Sequence, residues 1–288
     1  MRYRFVRFPG GKDRAVTLSY DDVSMHDRRF LEIINQYQMK CTFNVNSQYI
    51  DDDPTRRLTR QEVYDLKYVH GHEVAVHGAK HIAPGRTTAV NGIRDVLECR
   101  LELEKLMHCI IRGMAYPDTG IRRMCSTVDY ETIRNYLKDL GIVYARTLAG
   151  DNNSFLLPED WYAWMPTCHH RNPELMNWVD EFLALDIKSS YITGHEPRVF
   201  YMWGHTSEFE SNGNWDRLET FCQKISGKEE IWYATNIEIC EYVQAYHSLI
   251  WSVDNDIVYN PTHFKIWFEA DNKDYCIEPG ETLYISEE

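Results

Sequence analysis

The chain has 288 residues, of which 43% are hydrophobic and 26% charged, the balance of a water-soluble globular protein that can bury a large core. Its 31 basic and 44 acidic residues give a net charge of −13. That charge disfavours nucleic acid and anionic membranes as partners, because both are bound mainly through clustered Lys and Arg. A neutral substrate suits this surface better.

The apolar segments are short throughout the chain. No run approaches the ~18 apolar residues of a membrane span, and residues 1–16 contain no stretch of signal-peptide length. We therefore expect a cytoplasmic protein without a membrane span. None of the eight cysteines forms a Cys-x-x-Cys pair, so reduced and mostly buried thiols are expected at positions 41, 99, 109, 125, 168, 222, 240 and 276.

Short apolar runs alternate with helical patterns up to about residue 247. Strands are predicted at 15–20, 41–45, 73–76, 111–116, 142–145, 162–165, 199–203 and 230–233. Helices are predicted at 25–39, 59–69, 128–140, 173–185, 214–226 and 235–247. A longer helix begins after Thr87 or Thr88, with Ile93, Leu97 and Leu101 repeating on one face. Seven or eight such units favour an α/β protein built as a distorted (β/α) barrel, with its chemistry at the C-terminal ends of the strands.

The alternation of strands and helices ends near residue 249. Short strands are predicted at 249–253, 257–259, 263–268 and 282–285, separated by turns at 254–255, 271–272 and 279–280. We therefore predict a barrel over residues 1–248 and a small C-terminal β appendage over residues 249–288.

Two carboxylates end the first barrel strand, where Asp21 and Asp22 can reach one cleft or cap the next helix. The third strand is followed by His77 and His81, and a spacing of four suits two imidazoles on one metal ion. One carboxylate and two imidazoles leave an open coordination position, as in catalytic zinc sites, and free the second carboxylate to act as a base. Zinc is the expected ion, and cobalt, nickel or manganese also suit such a site.

These residues resemble two motifs of the NodB-type polysaccharide deacetylases, carbohydrate esterase family four. The family's Thr-Phe-Asp-Asp-Gly is similar to Ser-Tyr-Asp-Asp-Val at residues 19–23, and its His-Ser/Thr-x-x-His is similar to His-Gly-Ala-Lys-His at residues 77–81. The resemblance extends over residues 10–247 and implies a distorted (β/α) barrel. It also implies that Asp21 is the catalytic base and that the metal ligands are Asp22, His77 and His81.

The third motif of the family departs from this pattern. The family has an Arg that orients the base, in a run like Arg-Pro-Pro-Tyr, whereas this chain has Ala115 at that position, followed by Tyr116 and Pro117. Similar Ala-Tyr-Pro versions occur in a branch of these deacetylases. Arg146 is a candidate replacement, although an Arg after a strand is more often structural. By the resemblance, Tyr116 and Pro117 would contact substrate, and a backbone N–H near Tyr116 would hold the oxyanion.

The fourth motif, Asp-x-x-x-Asp-Trp, is loosely similar to residues 159–164, where Trp161 and Trp164 are candidates for either a substrate pocket or the core. The adjacent His169 and His170 are not expected to converge on one ion.

The fifth motif, Leu-x-x-His, resembles Met-Trp-Gly-His at residues 202–205. This implies that His205 is the general acid and that Trp203 contacts substrate. Glu208 could orient the His205 ring or cap the next helix.

Together these features predict a metal-dependent hydrolase that cleaves a non-peptide carbon–nitrogen bond. It would remove an N-acetyl or related acyl group from a carbohydrate-like substrate, with Asp21 as base and His205 as acid. One alternative is an amidohydrolase of the wider superfamily, acting on a small cyclic or linear amide. The other is a catalytically weakened barrel that binds carbohydrate, which Ala115 and Val23 favour because they replace the motifs' Arg and Gly. The oligomeric state stays open.

Overall fold

The computed structural model describes residues 3–50, 53–118, 120–121, 128–148, 151, 155–188, 191 and 194–285, so Cys125 lies outside the described residues. Its first strands are β1 (Arg4–Arg7), β2 (Arg14–Asp21), β3 (Cys41–Val45), β4 (Glu73–Val76), β5 (Gly113–Ala115), β6 (Tyr144–Arg146), β7 (Cys168–His169), β8 (Arg198–Gly204) and β9 (Ile231–Tyr233). The helices are α1 (Asp27–Gln36), α2 (Arg60–Tyr68), α3 (Ala89–Met107), α4 (Tyr130–Asp139), α5 (Leu175–Ala184), α6 (Thr206–Asn212), α7 (Trp215–Ile225) and α8 (Asn236–His247). Five strands follow: β10 (Ile250–Trp251), β11 (Ile257–Tyr259), β12 (Ile266–Ala270), β13 (Lys273–Ile277) and β14 (Thr282–Tyr284).

A parallel sheet with the strand order β6-β5-β4-β3-β2-β8-β7 forms the body of the protein, and β9 pairs with the start of β2. Strand β2 is buried from Ala15 to Asp21, as expected for a parallel strand covered on both faces. A parallel bridge between Arg146 and Trp164 joins β6 to the segment before β7, so the sheet curls towards closure. The predicted distorted (β/α) barrel is confirmed.

Two local predictions were wrong. Leu97 and Leu101 are 39% and 57% exposed, so they do not form the buried face of α3. That face consists of Gly92, Asp95, Val96, Cys99, Leu103 and Met107. The predicted strand at 162–165 is instead a short 3₁₀ turn (Trp161–Ala163) that ends at Trp164. Asp160 caps the start of this turn by accepting the N–H of Tyr162.

The C-terminal strands form two small antiparallel sheets, β1-β12-β13 and β10-β11-β14. The turn between β12 and β13 has positive φ at both Asp271 and Asn272, 49° and 67°, the backbone of a two-residue hairpin. Strand β1 comes from the start of the chain, so residues 4–7 and 266–270 share one sheet. The division of the chain at residue 248 stays a prediction.

The β1-β12-β13 sheet packs near the starts of the barrel strands. Val6 and Phe8 share a buried cluster with Ala15 and Val199, which lie near the starts of β2 and β8. The Tyr242 hydroxyl donates to the carbonyl of Arg7 (2.9 Å). This sheet therefore covers the end of the barrel opposite the C-terminal strand ends. Within the described residues, no helix is long and apolar enough to cross a membrane.

Candidate functional site

Four predicted site residues meet at the C-terminal ends of neighbouring barrel strands. Asp21 is the last residue of β2 and Asp22 follows it, His77 directly follows β4, and His205 directly follows β8. The backbone after β2 enters the left-handed region at Asp22 and Val23, with φ of 76° and 44°. Because of this turn, both carboxylates face the same cleft.

Asp22, His77 and His81 form a cluster of potential ligand atoms, all within 4.8 Å of one another. Asp22 Oδ1 lies 3.7 Å from His77 Nε2 and 3.7 Å from His81 Nε2. At the ~2.0–2.2 Å bond lengths of zinc, one ion can contact atoms with these separations.

The protonation of His77 suits a metal ligand. Its Nδ1 lies 2.9 Å from the carbonyl of Ala115, so Nδ1–H donates and the lone pair of Nε2 faces Asp22. Burial lowers the pKa of His77 more strongly than the nearby Asp21 and Asp22 raise it, which keeps the ring neutral. His77 Nε2 and Asp22 Oδ1 are both buried without a hydrogen-bond partner. A divalent cation would satisfy both atoms, so the three residues fit such an ion.

Asp21 is held by a buried guanidinium. Arg146, the last residue of β6, places Nη2 2.5 Å from Asp21 Oδ2, and Asn44 donates to Asp21 Oδ1 (2.7 Å). Burial by itself would raise the pKa of Asp21, but Arg146, His77, His205 and Asn44 together hold it below its ordinary value. Arg146 thus lies where it can replace the Arg that is missing at Ala115.

His205 lies between two groups of carboxylates. Its Nε2 is 3.9 Å from both Asp21 Oδ2 and Asp22 Oδ2, and its Nδ1 is 3.8 Å from Glu208 Oε2. Burial opposes protonation of the ring, but Glu208, Asp21 and Asp22 outweigh it and raise the pKa of His205. The ring can therefore carry a proton on the side that faces Asp21 and Asp22.

Glu208 is the centre of a second cluster. Its Oε2 lies 3.1 Å from His169 Nε2 and 3.2 Å from His170 Nε2, and Arg171 Nη1 lies 3.0 Å from its Oε1. The two rings therefore converge on one carboxylate, although the expectation that they do not share an ion stays a prediction. By proximity His169, His170 and Glu208 could also hold a metal ion.

The hydrogen bonds of His169 argue against a second metal ion. The backbone N–H of Arg171 donates to His169 Nδ1 (3.1 Å), so the ring proton sits on Nε2 and points at Glu208. A protonated nitrogen donates a hydrogen bond and cannot ligate a cation. Although burial opposes it, the nearby imidazoles of His169, His170 and His205 hold the pKa of Glu208 well below its usual range. Glu208 is therefore an ionised acceptor next to His205.

Trp203 lies close to the site, and Pro117 follows the end of β5. The Trp203 ring packs against the guanidinium of Arg146 (4.4 Å) and the ring of His169 (4.6 Å), with the His205 ring 6.0 Å away. Pro117 begins the turn beyond β5, where its carbonyl accepts the N–H of Gly120 (2.9 Å).

The structure does not bring the other aromatic candidates to the site. Trp164 is 1% exposed and packs with Trp161, Tyr144 and Tyr201 in the core. Tyr116 is buried, with its hydroxyl donating to the carbonyl of Tyr162 and its N–H donating to the carbonyl of Arg146. Because the sheet already uses the Tyr116 N–H, the oxyanion contact expected from a backbone N–H near Tyr116 would need a neighbouring donor and stays a prediction.

Fold and site define an α/β barrel with carboxylates and imidazoles gathered at its strand ends. Comparison with known proteins shows which family the chain is similar to. Residues 9–145, just under half of the chain, match the family described as polysaccharide deacetylase, so the resemblance read from the motifs is confirmed. No curated protein matches the sequence.

Solved structures show the same fold at low sequence identity. Puue allantoinase is 13% identical with a TM-score of 0.59, over 83% of this chain and 93% of its own. A probable polysaccharide deacetylase from Pseudomonas aeruginosa is 14% identical with a TM-score of 0.57, over 81% and 92%. A mutant of a family-four pseudoenzyme with restored activity is 13% identical with a TM-score of 0.53, over 82% and 70%. At these identities the likeness concerns the fold.

Proposed function

We propose that this chain is a metal-dependent hydrolase that removes an N-acetyl or related acyl group from a carbohydrate-like substrate. The main support is the position of His205. Its Nε2 lies 3.9 Å from Asp21 Oδ2 and 3.9 Å from Asp22 Oδ2, so all three side chains face the same cleft. A base held ionised by Arg146 and a protonated imidazole thus lie within one substrate's reach. The match of residues 9–145 to the polysaccharide deacetylases supports the same reaction class.

Asp22, His77 and His81 would hold the divalent cation, and two imidazoles with one carboxylate suit zinc. When bound, such an ion supplies Lewis acidity, which polarises the acyl oxygen and acidifies a water molecule. Cobalt, nickel or manganese could replace it in the same ligand set.

The side chains of the protein would move the protons. Asp21 accepts a proton from the water that attacks the acyl carbon, while Arg146 and Asn44 fix the carboxylate in its ionised form. As the carbon–nitrogen bond breaks, His205 donates its Nε2 proton to the departing amine. Glu208 Oε2 lies 3.8 Å from Nδ1 and favours the protonated ring from that side, so that Nε2 faces the substrate side. A positioned acid or base typically contributes 10²–10⁴-fold to the rate.

The test is acetate release from N-acetylglucosamine and its oligomers, with allantoin as a cyclic amide for comparison. If the protein is cytoplasmic, as the sequence predicts, the short soluble substrates should be preferred over polymer. Binding of the oligomers without acetate release under zinc, cobalt, nickel or manganese would favour a binding protein, and turnover of allantoin alone would favour the amidohydrolase.

Two variants separate the proton-transfer role from the metal role. Asp21→Asn should abolish turnover and keep the metal, because its carboxylate is not among the three proposed ligands. His77→Ala should lose the metal in elemental analysis. Asp139→Asn, at an exposed position on α4, is the control and should change neither. Full activity of Asp21→Asn would show that the base is wrongly assigned.

A further inference from the structure

The loop that carries His81 is held by its backbone on two sides. It runs from His77 to Ile82, directly after β4. On one side, Asn46 donates from Nδ2 to the carbonyls of His77 (2.6 Å) and Gly78 (3.3 Å). On the other side, the loop's N–H groups point towards α3, where they meet Asp95.

Asp95 binds the two amides that flank His81. The N–H of Lys80 donates to Asp95 Oδ1 (2.8 Å), and the N–H of Ile82 donates to Asp95 Oδ2 (3.3 Å). The N–H of Ala79 also donates to the backbone carbonyl of Asp95 (3.0 Å). Asp95 is 3% exposed, so this carboxylate faces the loop rather than solvent.

His81 depends on this support because its own backbone is in the left-handed region, with φ of 58°. A residue other than Gly stays in that region only where its surroundings hold it there. The His81 side chain is 30% exposed, so core packing does not fix it as it fixes His77. The two hydrogen bonds to Asp95 therefore fix the backbone on both sides of His81.

Gly78 makes room for the carboxylate of Asp95. A Cβ at this position would lie 2.2 Å from Asp95 Oδ2, closer than real Cβ contacts, and the φ of Gly78 is +75°. The related deacetylases have Ser or Thr at this position of the motif, and here a carboxylate from α3 occupies the space that such a side chain would need. The contact between Asp95 and the loop therefore requires that residue 78 have no side chain.

We infer that Asp95 is a positioning residue for the metal centre, which fixes His81 through the amides of Lys80 and Ile82. The inference rests on the proposed metal site and goes beyond it, because Asp95 belongs to neither of the two motifs. Residues that orient a metal ligand typically change metal affinity 10- to 100-fold when they are replaced.

The test is zinc affinity of the metal-stripped full chain, measured by competition with a chromogenic chelator, alongside the unfolding temperature without metal. Asp95→Asn should raise the zinc Kd about 10- to 100-fold, because it puts an amide N–H against a loop N–H. The control is Glu104→Gln, also on α3, where the carboxylate accepts the N–H of Ile111 (3.1 Å) away from the site. It should leave the zinc Kd unchanged.

Gly78→Ala attacks the same contact from the loop side and keeps Asp95. Its control is Gly227→Ala, which has a similar φ of +69° but no atom within 4 Å of the added Cβ. Weaker zinc binding in Gly78→Ala than in Gly227→Ala supports the inference, and this pair decides the matter if Asp95→Asn does not fold.

The outcomes separate this inference from the proposed function. If the unaltered protein binds zinc and Asp95→Asn binds it equally well, with only a lower unfolding temperature, Asp95 is structural and the inference fails alone. Equal zinc affinity of Gly78→Ala and Gly227→Ala would overturn it as well. If the unaltered protein binds no divalent metal, the proposed metal centre fails and the inference falls with it.

Discussion

Replacing Arg146 by Met would leave the Asp21 carboxylate buried without its guanidinium partner. The two side chains lie 2.5 Å apart and are 0% and 3% exposed, so solvent could not take over the lost contact. Breaking a buried ion pair from one side typically costs about 3–5 kcal/mol, because the remaining charge is uncompensated. We therefore expect the free energy of unfolding at neutral pH to fall by roughly that amount.

Activity should also fall, and its pH dependence should change. Burial raises the pKa of Asp21, and Arg146 is the largest of the influences that lower it. In the unaltered protein the folded pKa lies below the unfolded value. The pair's stabilisation is therefore present above the unfolded pKa and is lost as pH falls through the folded one. Without Arg146 the folded pKa rises, so the acid limb of kcat/KM should move to higher pH and kcat should fall about 10²-fold.

The assays are a pH profile of acetate release and urea unfolding at pH 7 and pH 4. The stability difference should shrink at pH 4, where more of the Asp21 carboxyl in Arg146→Met is protonated. Arg112→Met is the control, because Arg112 pairs with Glu241 at 2.9 Å but both side chains are more than a third exposed. That pair should cost about 1 kcal/mol or less. Unchanged kcat and an unchanged pH profile in Arg146→Met would refute the role given to Arg146.

His72 should control part of the acid sensitivity of folding. Burial is the main cause that lowers its pKa to about 3, and the N–H of Cys41 donates to its Nδ1 (3.3 Å), so the unfolded state takes up the proton first. The free energy of unfolding should therefore fall by up to about 1.4 kcal/mol for each pH unit below pH 6.5. His72→Asn should make this pH dependence less steep in urea titrations, and an unchanged slope would contradict the role of His72. Glu208→Gln should slow amine release from an N-acetyl sugar by about 10²-fold. It should slow hydrolysis of 4-nitrophenyl acetate by less than twofold, because nitrophenolate leaves without a proton from His205. Equal losses on both substrates would show that Glu208 does not act through His205, and Glu210→Gln should change neither rate.

The sequence predicts those parts of the molecule whose structure depends on residues that are close together in the chain. The strands at 41–45 and 73–76 have the predicted bounds, because each is a short apolar run with clear ends. The buried face of α3 was harder to predict, because it includes Gly92 and Asp95, which a hydrophobic pattern does not select. Polar residues on a buried face are chosen by what they contact, and the contact of Asp95 is a loop earlier in the chain.

Arg146 shows the same limit for the site. It lies 125 residues from Asp21 in the chain, and barrel curvature alone brings the end of β6 against the end of β2. Sequence gives the residue type and its place after a strand, but an Arg in that place is ordinary. The convergence of His169 and His170 on Glu208 was missed for a related reason. His169 lies in a short strand and His170 in the turn after it, so the usual opposition of neighbouring side chains does not hold.

Three departures from the family motifs are each matched by a compensating contact. Ala115 replaces the motif's Arg, and the guanidinium of Arg146 lies beside Asp21 instead. Gly78 replaces the motif's Ser or Thr, and the carboxylate of Asp95 occupies the space of that side chain. Val23, at the position of the motif's Gly, keeps its left-handed backbone while its carbonyl accepts the N–H of Leu58 (3.0 Å). The first contact acts on the proposed base, the second on the loop of a proposed metal ligand, and the third holds the backbone next to Asp22. A barrel that only bound carbohydrate would not need the first two. Their joint presence therefore favours the hydrolase over the catalytically weakened barrel.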